Sequence, residues 1–170
     1  MSAASNYLED KLLDHTLNFG NGSLTANSGA GYTPPATVYV ALFADSGSAA
    51  SAALESGTNS TSGTGNWGFY EVKTSGSTNY ARQSISFGAA GSSGGNAVGT
   101  IKTDGTVSFP VAGADYETNG TTGNVITHIA ILDASTSGNV LFYGALTTSK
   151  TVSNGDQFTI SSGNLSISLA

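Results

Sequence analysis

The sequence contains no cysteine. That excludes disulfides, thiolate metal sites and cysteine nucleophiles together. Charge is also scarce: charged residues make up 9% of the chain, against roughly a quarter of an average soluble domain. Positive charge is scarcest, with 5 Lys and Arg against 11 Asp and Glu and a net charge of −6. No basic run exists to neutralise a phosphate backbone, so nucleic acid is not an expected partner. No stretch reaches the ~20 consecutive apolar residues of a membrane-spanning helix, and no membrane partner is expected. "MSAASNYLEDKLLDH" lacks the basic-then-apolar order of a signal peptide. The expectation is a protein made in the cytosol that leaves it, if at all, by lysis.

What is present is glycine, 23 residues of it, with abundant Ser, Thr, Asn and Ala. At 170 residues the chain is long enough to bury a core without staples, and one domain is the economical reading. A single helix is expected over residues 1–20. Ser5 or Asn6 is its N-cap, Glu9 follows Asn6 at capping-box spacing, and Gly20 is a natural stop. Residues 21–36 read as a connecting arm, and 37–170 as a β-sandwich with a long Ser/Gly-rich loop at 45–66.

The strand signals have period two. "TVYVALFA" places Val38, Val40 and Leu42 on one face and Tyr39, Ala41 and Phe43 on the other, which predicts a strand covered on both sides. "SISF" turns Ile85 and Phe87 inward, and "TVSFPV" does the same with Val107, Phe109 and Val111. "LSISLA" alternates Leu165, Ile167 and Leu169 with serines. Asp104-Gly105 and Asn154-Gly155 are two-residue hairpin signals. "DASTSGN" is a longer connection with Gly138 as its left-handed residue. Eight to ten short strands with turns between them predict an all-β antiparallel sandwich of jelly-roll type with one N-terminal helix.

Chemistry is hard to find. His128 and Asp133 are five apart on one strand and face opposite sides, so they cannot pair. His15 lies on the helix's apolar stripe and reads as a buried or interface histidine. No G-x-S-x-G elbow occurs. The carboxylates are scattered singly, and "DASTSGN" lacks the alternating acids of a calcium loop. Trp67, with Tyr70 nearby, offers a face for a sugar, but anchoring the long loop to the sheet is the plainer role. Arg82 in "YARQSISF" is a candidate for a buried or intersubunit ion pair. No enzyme, metal or cofactor is expected.

The order of several segments carries a resemblance. "SNYLEDKLLDH", "YTPPATVYVALF", "NYARQ", "THIAILD", "GALTTSKTV" and "GDQFTISSGNL" resemble a family of small virion proteins of tailed bacteriophages, often named tail-fibre proteins. The match spans about two thirds of the chain. Pro34-Pro35 stands where the family has one proline, and loop 45–66 is longer than is typical. The resemblance implies a structural virion protein of jelly-roll or similar type.

No shaft repeat or coiled coil is visible, so a capsid decoration (cement) protein is expected. It would be a homotrimer on the outer capsid surface that bridges subunits of the major capsid protein. A tail-tip or tail-fibre component with host-glycan binding is the alternative. Expected interface residues are Tyr7, Leu8, Leu12, His15, Leu17, Phe19, Tyr32 and Arg82; Trp67 and Tyr70 are candidates for a surface contact. The helix stripe could equally cap the chain's own sandwich, and the sequence leaves both open.

Overall fold

The computed structural model describes residues 3–17, 34–45, 49–120 and 123–168. A short strand β1 (Ala3–Ala4) leads into helix α1 (Asn6–Leu17), followed by β2 (Val38–Phe43) and a second helix α2 (Ala49–Ser56). Then come β3 (Gln83–Ile85), β4 (Thr100–Lys102), β5 (Val107–Ser108), β6 (Val125–Leu132), β7 (Val140–Thr151), β8 (Thr159–Ile160) and β9 (Ser166–Ser168). No helix among the described residues is long and apolar enough to cross a membrane.

The centre is a five-stranded antiparallel sheet in the order β1-β7-β6-β2-β3. Its two faces follow from the alternation in β2. Val40 and Leu42 pair with Ile131 and Ile129 of β6 and point into one core. Ala41 lies opposite Ala130, and together with Phe43 and Leu132 these residues point into a second core. One period-two pattern thus serves two cores.

The first core is closed by two short strand pairs, β4 with β9 and β5 with β8, which contribute Val107, Ile160 and Ile167. The second is closed by α2 and a 3-10 turn at Trp67–Phe69. The all-β sandwich with an N-terminal helix is therefore present; its second β layer consists of two two-stranded pairs.

Ser5 is the N-cap of α1. Its carbonyl accepts from the Glu9 N–H at 3.0 Å, and its hydroxyl oxygen accepts from the Leu8 N–H at 3.4 Å. The same hydroxyl donates to the Val140 carbonyl, which ties the start of the helix to β7. The longest hairpin joins β6 to β7. Asp133 closes it by accepting from the Asn139 N–H at 2.7 Å, and Gly138 takes the expected left-handed φ of +78°. A Cβ on Gly138 would lie 2.4 Å from Asp133 Oδ1, so the site needs glycine sterically as well.

Four expectations are corrected. Loop 45–66 is not featureless: its described part holds α2, which buries Ala50, Ala53 and Leu54 against the sheet. Asp104-Gly105 closes no hairpin, because β4 pairs with β9 and β5 with β8. Asn154-Gly155 does form a turn, with the Asp156 N–H donating to the Ser153 carbonyl at 2.9 Å. Only Gly155 has positive φ there, so the pattern is that of type II and not the I′ of a tight hairpin. Val111 is 52% exposed: β5 ends at Ser108, and after Pro110 the next buried residue is Ala112. Leu169 and Gly20 lie outside the described residues.

Candidate functional site

The densest polar arrangement surrounds Arg82. Tyr80 and Arg82 are two apart just before β3, and Glu71 follows the Trp67–Phe69 turn. Arg82 Nε donates to Glu71 Oε1 at 2.7 Å, and Nη2 donates to Oε2 at 2.7 Å, forming a bidentate pair. Nη1 donates to the carbonyls of Ala134, at 3.0 Å, and Ser137, at 2.7 Å, in the β6–β7 connection. The guanidinium carbon lies 5.3 Å from the centroid of the Trp67 ring.

Tyr80 completes the cluster. Its hydroxyl accepts from the Leu42 N–H at 3.0 Å and donates to Glu71 Oε1 at 3.1 Å. The Tyr80 ring stacks on Phe109 in the first core, with centroids 5.9 Å apart, whereas Trp67 belongs to the second core. The cluster therefore links both cores to the hairpin.

The electrostatics agree with this geometry. Burial, and then the charge of Glu71, push the Tyr80 hydroxyl well above its ordinary range. Burial alone would lower Arg82, but the hydrogen bonds and charge of Glu71 outweigh it. The Arg82 and Glu71 side chains are 5% and 12% exposed. Both charges are paired within the chain, so of the two expected forms of the ion pair the buried one is present. The sequence pointed to Arg82 but missed Glu71 and Tyr80; the usable signal was that Tyr80 and Arg82 are two apart in the sequence.

Of the other expected contact residues, Leu8, Trp67 and Tyr70 are buried within the chain. Leu8 is buried, Leu12 half-buried, and Tyr7 exposed. His15 and Leu17 fall on α1; Phe19 and Tyr32 lie outside the described residues. Trp67 and Tyr70 are not surface aromatics. Both are buried; the Trp67 ring meets Phe43 edge-on, and the Tyr70 hydroxyl donates to the Thr64 carbonyl at 3.0 Å. The plainer role of Trp67, anchoring the loop to the sheet, is the one the structure shows.

His128 joins β6 to α2. Its Nε2 is 3.0 Å from Ser51 Oγ and its Nδ1 is 2.9 Å from Thr127 Oγ1, which also accepts from the Asp45 N–H. Asp45 accepts in turn from the Ala50 N–H at the start of α2. A neutral imidazole offers one acceptor nitrogen to these hydroxyls, and protonation removes it. Burial lowers the His128 pKa, partly offset by Asp45.

The unfolded chain therefore binds more protons than the folded chain between the lowered value and the ordinary 6.5. Stability contributed here is complete above 6.5, falls as pH falls through that window, and levels off below it. Thermal midpoints measured from about pH 7.5 to 5 should decline more steeply in the native chain than in His128→Gln. Parallel declines would remove His128 as the cause.

Recesses open to solvent lie at three places among the described residues. One of about 250 Å³ lies between the start of α1 and the end of α2, lined by Tyr7, Glu55 and Asn139. In its vicinity Tyr143 donates to Glu55, and burial together with this bond raises the tyrosine above its ordinary range. A polar recess of about 490 Å³ borders the Arg82 cluster and is lined by Asn59, Lys73, Asn119 and Thr136. The largest of these three, about 740 Å³, runs between β7 and β8 over Ile129, Leu146, Phe158 and Leu165. Among the described residues no three His, Asp or Glu side chains are grouped to hold a metal ion.

Residues 3–168 match the family model described as podophage GP4 fiber I protein gp80. No curated protein matches the chain.

Proposed function

Because the chain belongs to the podophage GP4 fiber I protein family, and so is a structural protein of a tailed-phage virion, we propose a docking role in the fibre apparatus, with no reaction of its own. One observation carries the reading: the best-placed polar groups are spent inside the fold. Arg82, Glu71, Tyr80 and His128 all bond to neighbours in the chain, and no described buried side-chain nitrogen or oxygen lacks a partner.

The unit of assembly in this reading is a homotrimer. Several weak contacts made at once then give avidity through effective concentration, without any single strong site. Binding only the assembled particle stabilises that state by mass action.

Capsid decoration, with the major capsid protein as partner on the outer shell, is the second reading. It is favoured by a short, layered body with no shaft repeat among the described residues. Copy number separates the two. Quantitative mass spectrometry of purified particles should give few copies per virion for a fibre component. A large simple fraction of the major capsid protein's copy number would move the protein to the shell. Absence from purified virions would sink both.

A further inference from the structure

We infer that copies of this chain join head to tail, with Val98 of one copy seated in the groove between β7 and β8 of the next. The inference rests on the proposed self-association and deepens it by naming the surfaces.

Val98 is 90% exposed, the most exposed large apolar side chain among the described residues. It is held out by an organised loop. The Asn96 N–H donates to the Gly91 carbonyl at 2.9 Å, and the Asn96 side chain donates to the carbonyls of Ala89 and Gly94, each at 3.2 Å. The Thr100 N–H donates to the Ala97 carbonyl at 3.0 Å, just beyond the tip. Gly91, Gly95 and Gly99 take φ of +64°, +71° and +74°, which lets a short loop turn tightly enough to project one side chain. A chain that spends this much backbone order on presenting a valine to water has a use for it elsewhere.

The groove offers a recess with an apolar floor. It holds about 740 Å³ over a floor of Ile129, Leu146, Phe158 and Leu165, and Val98 is not part of its lining. Backbone pairing there is discouraged. Pairing between β6 and β7 jumps from Ile126↔Lys150 to His128↔Ala145, so β7 bulges at 146–149, and Lys150 stands exposed beside the bulge. Bulges and lysines blunt a sheet edge against strand addition. Insertion of a side chain between the layers is the mode left open.

Charge matches as well. Of the five basic residues, Lys73 and Arg82 are paired within the chain. Lys102 and Lys150 are exposed, without an ion pair among the described residues; one flanks the projecting loop and the other the groove. Each has an exposed acid close by, Asp104 beside the loop and Asp156 in the groove wall. Across a head-to-tail contact Lys150 can face Asp104, and Lys102 can face Asp156. A projection and a recess at different places on one molecule make a heterologous contact, which closes into a ring when the rotation allows.

The absence of cysteine gives a clean test. A Val98→Cys, Thr148→Cys double variant, oxidised and run under denaturing conditions, should form a covalent ladder that ends at trimer. Each single variant should stay monomeric alone and give dimer only on mixing the two. Val98→Asp should weaken association tenfold or more, by sedimentation, with the monomer's melting temperature unchanged because Val98 is exposed. Lys150→Asp should weaken it too, and adding Asp104→Lys should restore it.

A native chain that is monomeric at every concentration would overturn the inference. So would a cross-link within one chain, or a groove filled by the chain's own residues 18–33, which would yield no cross-link. A trimer that cross-links as stated but is missing from virions supports the contact while sinking the proposed role. A monomer that enters virions does the reverse.

Discussion

Arg82→Met should cost about 3–5 kcal/mol of folding stability, the usual result of removing one partner from a buried ion pair. In a domain of this size that lowers the melting temperature by roughly 6–20 °C. The cost is large because three losses coincide. Glu71, 12% exposed, is left without its bidentate partner. The carbonyls of Ala134 and Ser137 lose a donor, and the Trp67 face loses its cation.

Arg82→Lys should recover little of this. An ammonium cannot span both carboxylate oxygens and two carbonyls from one planar head. Adding Glu71→Gln to Arg82→Met should recover part of the loss, because the stranded charge is gone and Tyr80 keeps an acceptor. Thermal or denaturant unfolding of the native chain, Arg82→Met, Glu71→Gln and the double variant gives the coupling directly. Lys73→Met is the control: its pair with Glu117 at 3.6 Å is open to water, and the expected change is under about 1 kcal/mol. Equal, small effects at Arg82 and Lys73 would show that the cluster does not hold the two cores to the hairpin.

The parts of this fold that were legible are those in which side-chain alternation decides the outcome. β2 reads as a strand covered on both faces because burial on both sides leaves apolar residues at every position. The β6–β7 hairpin reads correctly because its turn residues lie between two apolar runs that are neighbours in the sheet as well as in the chain. Asp104-Gly105 fails for the converse reason. A turn signal describes local φ and ψ, whereas β4 takes its partner from β9, more than sixty residues away. Val111 fails because alternation was carried past Pro110, where the strand had already ended.

α2 was hidden by averaging. "AASAALES" has good helix formers but only one large apolar residue, Leu54, and its stability comes from docking on the sheet. The Arg82 cluster was half legible. A lone arginine in a chain poor in positive charge stands out, and so does its spacing from Tyr80. Its partners do not: Glu71 is one scattered acid among several, and backbone carbonyls carry no mark in a sequence.

Trp67→Ala should be as costly as breaking the ion pair, about 3–5 kcal/mol for deleting a buried aromatic. The ring is 2% exposed, meets Phe43 edge-on at 6.4 Å, and helps form the floor on which Leu54 and α2 rest. Its removal takes contacts from the second core and from the Arg82 guanidinium together. Hydrogen exchange should then show α2 losing protection before the β6–β7 ladder does, because α2 is eight residues long and depends on that floor.

Trp67→Phe should keep part of the packing and fall between. This order bears on function. If Trp67 acted as an exposed sugar platform, Trp67→Ala would weaken glycan retention and leave the melting temperature nearly unchanged. As a buried anchor it lowers the melting temperature, and any loss of particle attachment disappears once the comparison is made at a temperature where the variant is still folded. A Trp67→Ala chain with native stability and lost attachment would return the aromatic to the surface and reopen carbohydrate as the partner.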